Sequence, residues 1–388
     1  MVLHANGNVS MGMANSTLFV GNTAISNAGI SVGGTTVSAF GGMKNRLING
    51  DMKIDQRWTG SSNTWPGSAT FTVDRWQIEN TQSGKITFQQ NHGSVTPPAG
   101  FTNYIGLKVA ATATIGASDY FLFFQNIEGN NLYDFDLGKS TASVFTLSFW
   151  AYSNVTGTLG AVIKSSGQNY SYPFTYTINS ANTWEYKTVT VARPTSGTWG
   201  TGTSGTLLIG FNLGCGSTYS GSPDGTWQSV NVVSATGGAS LMGSTSNYLY
   251  LTGIQVEKGP VATPFEFRHY GTELNLCKRY YWQIVSGTGQ EIMINGTAFQ
   301  TNQWETVVTY PVEMRSVPTI TFTAPSTWAT RIGGTSPSSA LSYYYADATI
   351  ARMQVLIYAP YSGLTQGQSN ALSSKNPSIA AMYFSAEI

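Results

Sequence analysis

The run SVFTLSFWAYS (143–153) decides the fold class. Phe145, Leu147 and Phe149 fall on one side of an extended chain, and Thr146, Ser148 and Trp150 on the other. That two-residue period belongs to a strand, not to a helix. Similar runs surround it: TFTVDRWQIE (70–79), KITFQQ (85–90), NYIGLKVAA (103–111), DYFLFFQNIEG (119–129), GAVIKSS (160–166), WEYKTVTVA (184–192), GTLLIGFNLG (205–214) and NYLYLTGIQVEKG (247–259). Gly-, Ser- and Asn-rich connectors such as SGTWGTGTSGT (196–206) and VVSATGGASLMGSTS (232–246) separate them. Short antiparallel strands in this number predict a jelly roll or β-sandwich over residues 45–270. TELNLCKRYYW (272–282) places Leu274, Cys277, Lys278 and Tyr281 at helical spacing, where a connector between two domains would lie. Beyond it, ETVVTYPVEMR (305–315), PTITFTAP (318–325), RMQVLIYAP (352–360) and IAAMYFSAEI (379–388) predict a second β unit over 271–388, with the turn-rich SSALSYYYADATIA (338–351) between. The last strand is expected to be tied into a sheet.

Composition agrees with an all-β chain. Of 388 residues only 10% are charged, with 13% aromatic and 43 Gly. Helical surfaces carry Glu/Lys pairs, which raise the charged fraction to about 25%. Disorder needs high net charge and few aromatics, the reverse of what is present. Nineteen Lys+Arg against 18 Asp+Glu leave no basic excess for a nucleic-acid phosphate backbone. No apolar span of about 18 residues predicts a transmembrane helix. The start MVLHANGNVS lacks the charged-then-apolar layout of a signal peptide, so a cytosolically folded chain with Cys215 and Cys277 as free thiols is expected.

Residues 1–44 differ from the rest. No charged residue precedes Lys44, and LFVGNTAIS (18–26) resembles ISVGGTTVS (30–38), with Val20-Gly21 aligned on Val32-Gly33. Each copy reads as a short strand with a Gly-containing turn. Seven larger apolar side chains in about 21 residues bury too little surface to offset the backbone entropy of ordering. The segment is therefore either disordered alone or ordered by partner chains, as in a symmetric intertwined stalk.

Several stretches resemble a known family. NRLINGDMKIDQRW (45–58) followed by TVDRWQI (72–78) is similar to the opening of the Asn-Leu-Leu-Ile-Asn-Gly β-module of bacteriophage tail fibre and receptor-binding proteins. Later landmarks follow in order: Gln125-Asn126-Ile127-Glu128-Gly129, LSFWAYS, YLTGIQVEKGPVATPFEFR (250–268), LNLCKRYYW (274–282) and the ending Ala386-Glu387-Ile388. The resemblance implies a jelly-roll, carbohydrate-binding-like module, homotrimerisation and a place on the virion surface, on tail or head. It also implies folding in the host cytoplasm and release by lysis. The implied organisation is a virion-attachment stalk (1–44), a jelly roll (45–270) and a C-terminal tip (271–388). Partners would be other copies of the chain, other virion proteins, and host polysaccharide or lipopolysaccharide, with no cofactor. Jelly rolls of this general shape sometimes hold a structural calcium, whose ligands the sequence does not name. A structural head fibre or decoration protein without a specific receptor, and a polysaccharide-degrading tailspike, are the alternatives.

Chemistry points to binding. His4, His92 and His269 are not spaced as metal ligands or beside a nucleophile motif, and no CxxC, HExxH or EF-hand loop occurs. Ser222-Pro223-Asp224-Gly225 is a turn sequence. Glycoside cleavage needs two carboxylates about 5–10 Å apart; Asp134/Asp136 and Asp119/Glu128 can be proposed, and the first more simply flanks a turn. Arg57 and Arg75 each precede a Trp, with Asp55 and Asp74 close by, and read as an ion pair sealing the end of the sandwich. Sugars stack their C–H faces on aromatic rings while amides and charged groups hold their hydroxyls. Trp58, Trp76, Trp150 and Trp184 sit in or beside strands and read as packing. Aromatics in polar loops are the glycan candidates: Trp199, Tyr219 and Trp227 in the module, and Trp328, Tyr343, Tyr344, Tyr345 and Tyr361 in the tip. Deleting residues 1–44 is expected to abolish incorporation into virions, scored by immunoblot of purified particles, while leaving a soluble folded body; undiminished incorporation would remove the docking role.

Overall fold

The computed structural model describes residues 43–167, 169–287, 292–331, 342–358, 365–374 and 379–388, with the backbone of short strands before residue 43. In that leading part, Leu18–Val20, Thr23–Ser26, Gly29–Val32 and Thr35–Val37 form a four-stranded antiparallel meander. Val20 lies opposite Thr23, and twelve residues on Val32 lies opposite Thr35. Each copy of the repeat is therefore a hairpin of two strands, not the single strand its length suggested.

The body is a jelly-roll sandwich of two six-stranded antiparallel sheets. Its principal strands are β1 (Gln77–Asn80), β2 (Ile86–Gln90), β3 (Ile105–Val109), β4 (Tyr120–Glu128) and β5 (Phe145–Ser153). They continue as β6 (Gly157–Ser165), β7 (Ser171–Ile178), β8 (Glu185–Val191), β9 (Gly205–Cys215) and β10 (Tyr248–Lys258). One sheet runs β8-β5-β10-β3-β2 and ends on the short strand Asn63–Thr64; the other runs β7-β6-β9-β4-β1 and ends on Thr70–Phe71. The predicted alternation holds, with Phe145, Leu147 and Phe149 fully buried between the sheets. Trp76 stacks on Phe123 at 5.0 Å, and Phe149 meets Phe211 edge-on at 4.9 Å. Strand β7 is absent from the sequence reading because Pro173 interrupts it. It survives as a strand because it is an edge, where a missing N–H costs little.

The NRLING segment closes one end of the sandwich. Asn45 Oδ1 accepts from the Leu47 and Val256 amides, and its Nδ2 donates to the Ile254 carbonyl. Asn49, at φ +58°, donates to the carbonyls of Ile54 and Asp74 and accepts from the Ile54 amide. Gly50 is required by contact, since a Cβ there would lie 2.2 Å from the Ile254 oxygen. Gln125 answers Ile48 with a reciprocal pair of bonds at 2.9 and 2.8 Å.

Helix α1 (Tyr270–Lys278) leads to the second β unit. Its carboxylate Glu273 accepts from the Asn49 amide and from Arg268, so the helix is fastened to the same end. Among the described residues no helix is long and apolar enough to cross a membrane. The C-terminal unit has a three-stranded sheet of β11 (Tyr281–Val285), β14 (Thr319–Phe322) and β19 (Ala381–Ser385), with β19 central. Its six-stranded sheet holds β12 (Ile292–Gln300), β13 (Gln303–Thr309), β15 (Trp328–Arg331), β16 (Ser342–Ala348), β17 (Arg352–Tyr358) and β18 (Ser369–Ser374). Trp304, Trp328, Met353, Met382 and Phe384 form its core.

A buried charge network joins the two units. Arg75, 1% exposed and held at φ +72°, pairs with Glu387 and donates to the Asn126 carbonyl at 2.8 Å. Arg57 bonds the other Glu387 oxygen at 3.1 Å and lies 3.9 Å from Asp74. The arginine pair does seal the sandwich end as expected, but its chief acid comes from the far end of the chain. Removing one member of a buried pair leaves the other uncompensated. Glu387→Gln is therefore expected to cost about 3 kcal/mol, read as a lower urea midpoint for the unfolding transition reported by buried Trp304 and Trp328; an unchanged midpoint would show that the pair does not hold the junction.

Candidate functional site

The outer faces of the two sheets differ, and the difference locates the site. On the β8-β5-β10-β3-β2 sheet the rings of Tyr152, Tyr248 and Tyr250 stack on one another, at 5.5 Å for Tyr152 on Tyr250 and 4.7 Å for Tyr248 on Tyr250. Loop segments fold onto this face. Trp184 Nε1 donates to the Thr96 carbonyl at 2.9 Å, and Tyr104 donates to the His92 carbonyl at 2.6 Å. Its aromatic side chains are used against each other.

On the other sheet, β4 carries apolar residues on both faces. Phe121 and Phe123 enter the core, whereas Tyr120, Leu122, Phe124 and Asn126 alternate outward. Leu208 of β9 lies beside them, and a groove of about 580 Å³ runs over this floor. Gly210 keeps the floor low: a Cβ there would lie 2.8 Å from Leu122 Cδ1 and 3.2 Å from a Leu208 methyl. One wall is the segment after β9, with Tyr219 and Val233, where Tyr120 and Tyr219 meet edge-on at 5.1 Å. Another is the Thr198-Trp199-Gly200 loop. Ile388 of the tip also borders the groove, its carbonyl accepting from Gln77 Nε2 at 2.6 Å.

Two charged side chains enter this lining, Lys164 of β6 and Glu79 of β1. The Glu79 carboxylate accepts from the Tyr120 hydroxyl at 2.9 Å. Burial and that bond together push the Tyr120 phenol up. Lys164 is 2% exposed and donates to Asn231 Oδ1 at 3.1 Å. Burial pushes its ammonium down to about 8, with the Glu79 charge opposing.

Of the sequence candidates, Trp199 and Tyr219 line the groove. Trp227 stands behind it, stacked on Tyr170 at 5.3 Å and perpendicular to Trp199 at 5.4 Å. Both indole N–H groups are spent on backbone carbonyls, Trp199 on Ser196 and Trp227 on Ala192, so Trp199 offers the groove its ring. Trp328 does not fit its expected role. It is 1% exposed, because residues 328–331 form a strand whose first side chain enters the tip core, with Nε1 on the Thr323 carbonyl at 3.3 Å. Tyr343, Tyr344 and Tyr345 lie on β16 and not in a loop, paired with β17; their side chains, and all of Tyr361, fall outside the described residues. The sequence reading missed Tyr120, Phe124, Asn126, Lys164, Glu79 and Asn231. The available signal was DYFLFFQN itself, whose outward positions are apolar where a solvated sheet face would be polar.

The carboxylates and thiols singled out in the sequence are accounted for by local structure. Asp134 binds Arg46 at 2.8 Å and Asp136 binds Lys139 at 2.8 Å, so the carboxylates proposed for cleavage are surface ion pairs. Asp119 caps a turn through Gly116 and Thr81. Glu128 is buried, which would push it up. Bonds from Arg279, Tyr280 and Asn130 outweigh that and hold it below the usual carboxylate range. Burial pushes the Cys215 thiol up to about 12 and Cys277 well above its usual value, which leaves both unreactive at neutral pH. Asp224 accepts from the Thr226 amide in the expected turn. Among the described residues no group of three or more His, Cys, Asp or Glu is placed to hold a metal ion.

No protein-family model matches the chain. No curated protein matches it either. Among solved structures it is similar to the enzymatically active domain of tailspike protein 4 of bacteriophage CBA120, at 15% identity over 56% of this chain and 22% of that one, with a TM-score of 0.30. The chain thus spans less than a quarter of that structure's length. It is also similar to TmCBM61 in complex with β-1,4-galactotriose, at 10% identity over 55% of this chain and 99% of that one, TM-score 0.30. A third is the family 11 carbohydrate-binding module of the cellulosomal cellulase Lic26A-Cel5E of Clostridium thermocellum, at 12% identity over 54% and 99%, TM-score 0.26.

A buried lysine with a lowered pKa costs stability wherever the folded state must carry its proton. Between about pH 8 and the usual value of 10.5 the unfolded chain binds more protons at this site, so stability rises with pH across that window. Lys164→Met is expected to stabilise the fold at pH 7 by about 1–3 kcal/mol, with the gain shrinking towards pH 10.5; thermal melts at both pH values check it, and a destabilised Met variant at pH 7 would contradict it.

Proposed function

We propose that this chain is a bacteriophage virion fibre protein that adsorbs to host surface glycans through the groove over β4, β9 and β6. The observation carrying this reading is the groove's chemistry. Ring surface from Trp199, Tyr219 and Tyr120 faces amides of Asn126 and Asn231 and the charges of Lys164 and Glu79, over an apolar floor. Apolar ring faces with a few placed polar groups suit sugars, which are apolar on one face and hydroxylated at the edge. The walls are also held before any ligand arrives. Trp199 is braced by Trp227 and Tyr170, and Tyr219 by Tyr120, so little side-chain freedom remains to be lost.

The virion role is supported by the residues similar to tail fibre modules, which include the buried Asn45 and Asn49 and the Gln125 that answers Ile48. In this reading residues 1–44 dock to the particle, the fibre is a homotrimer, and three equal grooves gain avidity from weak single sites. No catalytic step is part of it. In this reading the glycan site lies in the module.

Trp199→Ala and Tyr219→Ala are each expected to weaken binding on a glycan array at least about tenfold, in keeping with the 1–3 kcal/mol that one aromatic stacking partner contributes in other ring-stacking sites. Trp328→Ala, by contrast, is expected to unfold the tip. Silence of the intact chain across the array, together with tight binding to capsids, would favour a decoration protein. Release of reducing ends from a host polysaccharide would favour a tailspike.

A further inference from the structure

Lys164 is the least expected residue in the groove. It is 2% exposed, yet it borders an open cleft. Its neighbours across the sheet are Leu208 on β9 and Ser171 on β7, neither of them charged. An ammonium has three N–H donors, and Asn231 Oδ1 at 3.1 Å takes one. The groups that face it from the packed elements are Glu79 on β1, Tyr120 and Asn126 on β4, and Tyr219 and Asn231 on the wall segment. Among these side chains only Glu79 is a carboxylate; Ile388 borders the same groove, with its main-chain oxygen taken by Gln77 and Asn126. Strands β9 and β4 intervene, no ion pair joins Glu79 to Lys164 among the described residues, and the Tyr120 hydroxyl already occupies Glu79. Buried charges in proteins are ordinarily paired. Here the sheet provides an amide contact but no counter-charge in contact.

A neutral sugar would be served by the rings and amides alone, with any polar group in place of this lysine. Resting on the glycan reading above, we propose that the groove takes an acidic glycan, one bearing a sugar carboxylate such as a uronate, and that Lys164 receives that carboxylate. Asn231 fixes the ammonium, and the apolar floor of Leu122, Phe124 and Leu208 lowers the local dielectric so that the pair gains more than it would in water. Glu79, held by Tyr120, disfavours a second carboxylate at its own end of the groove. A single acidic sugar among neutral ones is therefore the preferred ligand. The sign of the pH response follows. Sugar carboxylates stay ionised at neutral and alkaline pH and burial keeps the Tyr120 phenol protonated, so Lys164 loses the charge that binding needs as pH rises above about 8.

The test uses the full chain on an array of neutral glycans, polygalacturonate, alginate, hyaluronate and acidic bacterial capsular polysaccharides, with each acidic polymer also presented after carboxyl reduction. At least one acidic polymer is expected to bind at pH 7 at least tenfold tighter than its reduced form. That preference should shrink by pH 9.5, and Lys164→Met should abolish it while keeping the wild-type melting behaviour or better. Lys164→Arg should retain part of it. Equal binding of an acidic polymer and its reduced form, or binding of neutral glycans alone with Trp199→Ala sensitivity, would overturn the acidic-sugar inference and leave the groove as a neutral glycan site. Silence of the whole array would remove the glycan reading and this inference with it.

Discussion

The junction between jelly roll and tip depends on Glu387. Its two oxygens are divided between Arg75 and Arg57, and each guanidinium also lies on a ring, Arg75 over Tyr280 and Arg57 over Tyr281, both at 3.6 Å. Those tyrosines follow directly on α1, so the helix exit and the last strand of the chain are held by the same two cations. A cation over a ring face gains electrostatic attraction while its edge still donates hydrogen bonds. Arg75 needs a left-handed backbone to reach this position, a strain that a well-paired buried charge can offset. Arg279 adds a second tie, bonding Glu128 at 2.8 Å while the Tyr280 hydroxyl bonds the other oxygen. With Glu387 fixed, Ile388 has one place to go, and its carbonyl meets Gln77 and Asn126 at the border of the groove. The groove is thus finished by a residue of the neighbouring unit.

That placement makes the outer face of the β7-β6-β9-β4-β1 sheet costly as pure architecture. Phe124 and Leu122 are nearly covered by their neighbours, but the floor is not closed by a loop as the opposite sheet is by the segment around Thr96. Lys164 is buried against its own preference. Local departures of this kind, where an element breaks the patterning rule that the rest of the fold obeys, tend to mark functional sites.

Much of the fold was legible because it rests on period. SVFTLSFWAYS alternates, and so do most of its neighbours, since a sandwich core selects every second residue. The helix at 270–278 was visible from the spacing of Leu274, Cys277 and Lys278, but Tyr281, read into the same pattern, begins strand β11 instead. What was not legible depended on long-range pairing. Strand β7 is masked by Pro173, whose tolerance requires knowing that the strand is an edge. The strand of Tyr343–Tyr345 reads as turn-rich from its Ser and Ala neighbours, and its pairing with β17 overrides that local preference. Arg57 and Arg75 were recognisable as ion-pairing residues, but Glu387 lies more than 300 residues away in sequence. For the groove, loop composition singled out Trp199 and Tyr219, and both line it. The same rule failed at Trp328, where a Pro-flanked segment turns straight into a core strand. Lys164, in the unremarkable run GAVIKSS, gains its meaning only from β9 and β4 lying beside it.

Trp227 shows how a residue can shape the proposed site without lining the groove itself. Stacked flat on Tyr170 and perpendicular to Trp199, with its N–H on the Ala192 carbonyl, it has a single position. Trp199 is then constrained on one face by Trp227 and at its nitrogen by Ser196, and the Gly138 backbone approaches so closely that a Cβ there would lie 2.8 Å from the indole. A ring held this way loses almost no freedom when a sugar stacks on it, so more of the stacking energy is kept as affinity. The same logic applies to Lys164, whose long side chain is the one with most rotamer entropy to lose; the bond to Asn231 and the burial of its stem commit it in advance. On the proposed fibre, a groove built from side chains immobilised by their own neighbours would need little rearrangement on contact, and repetition of that groove would add avidity to each single contact.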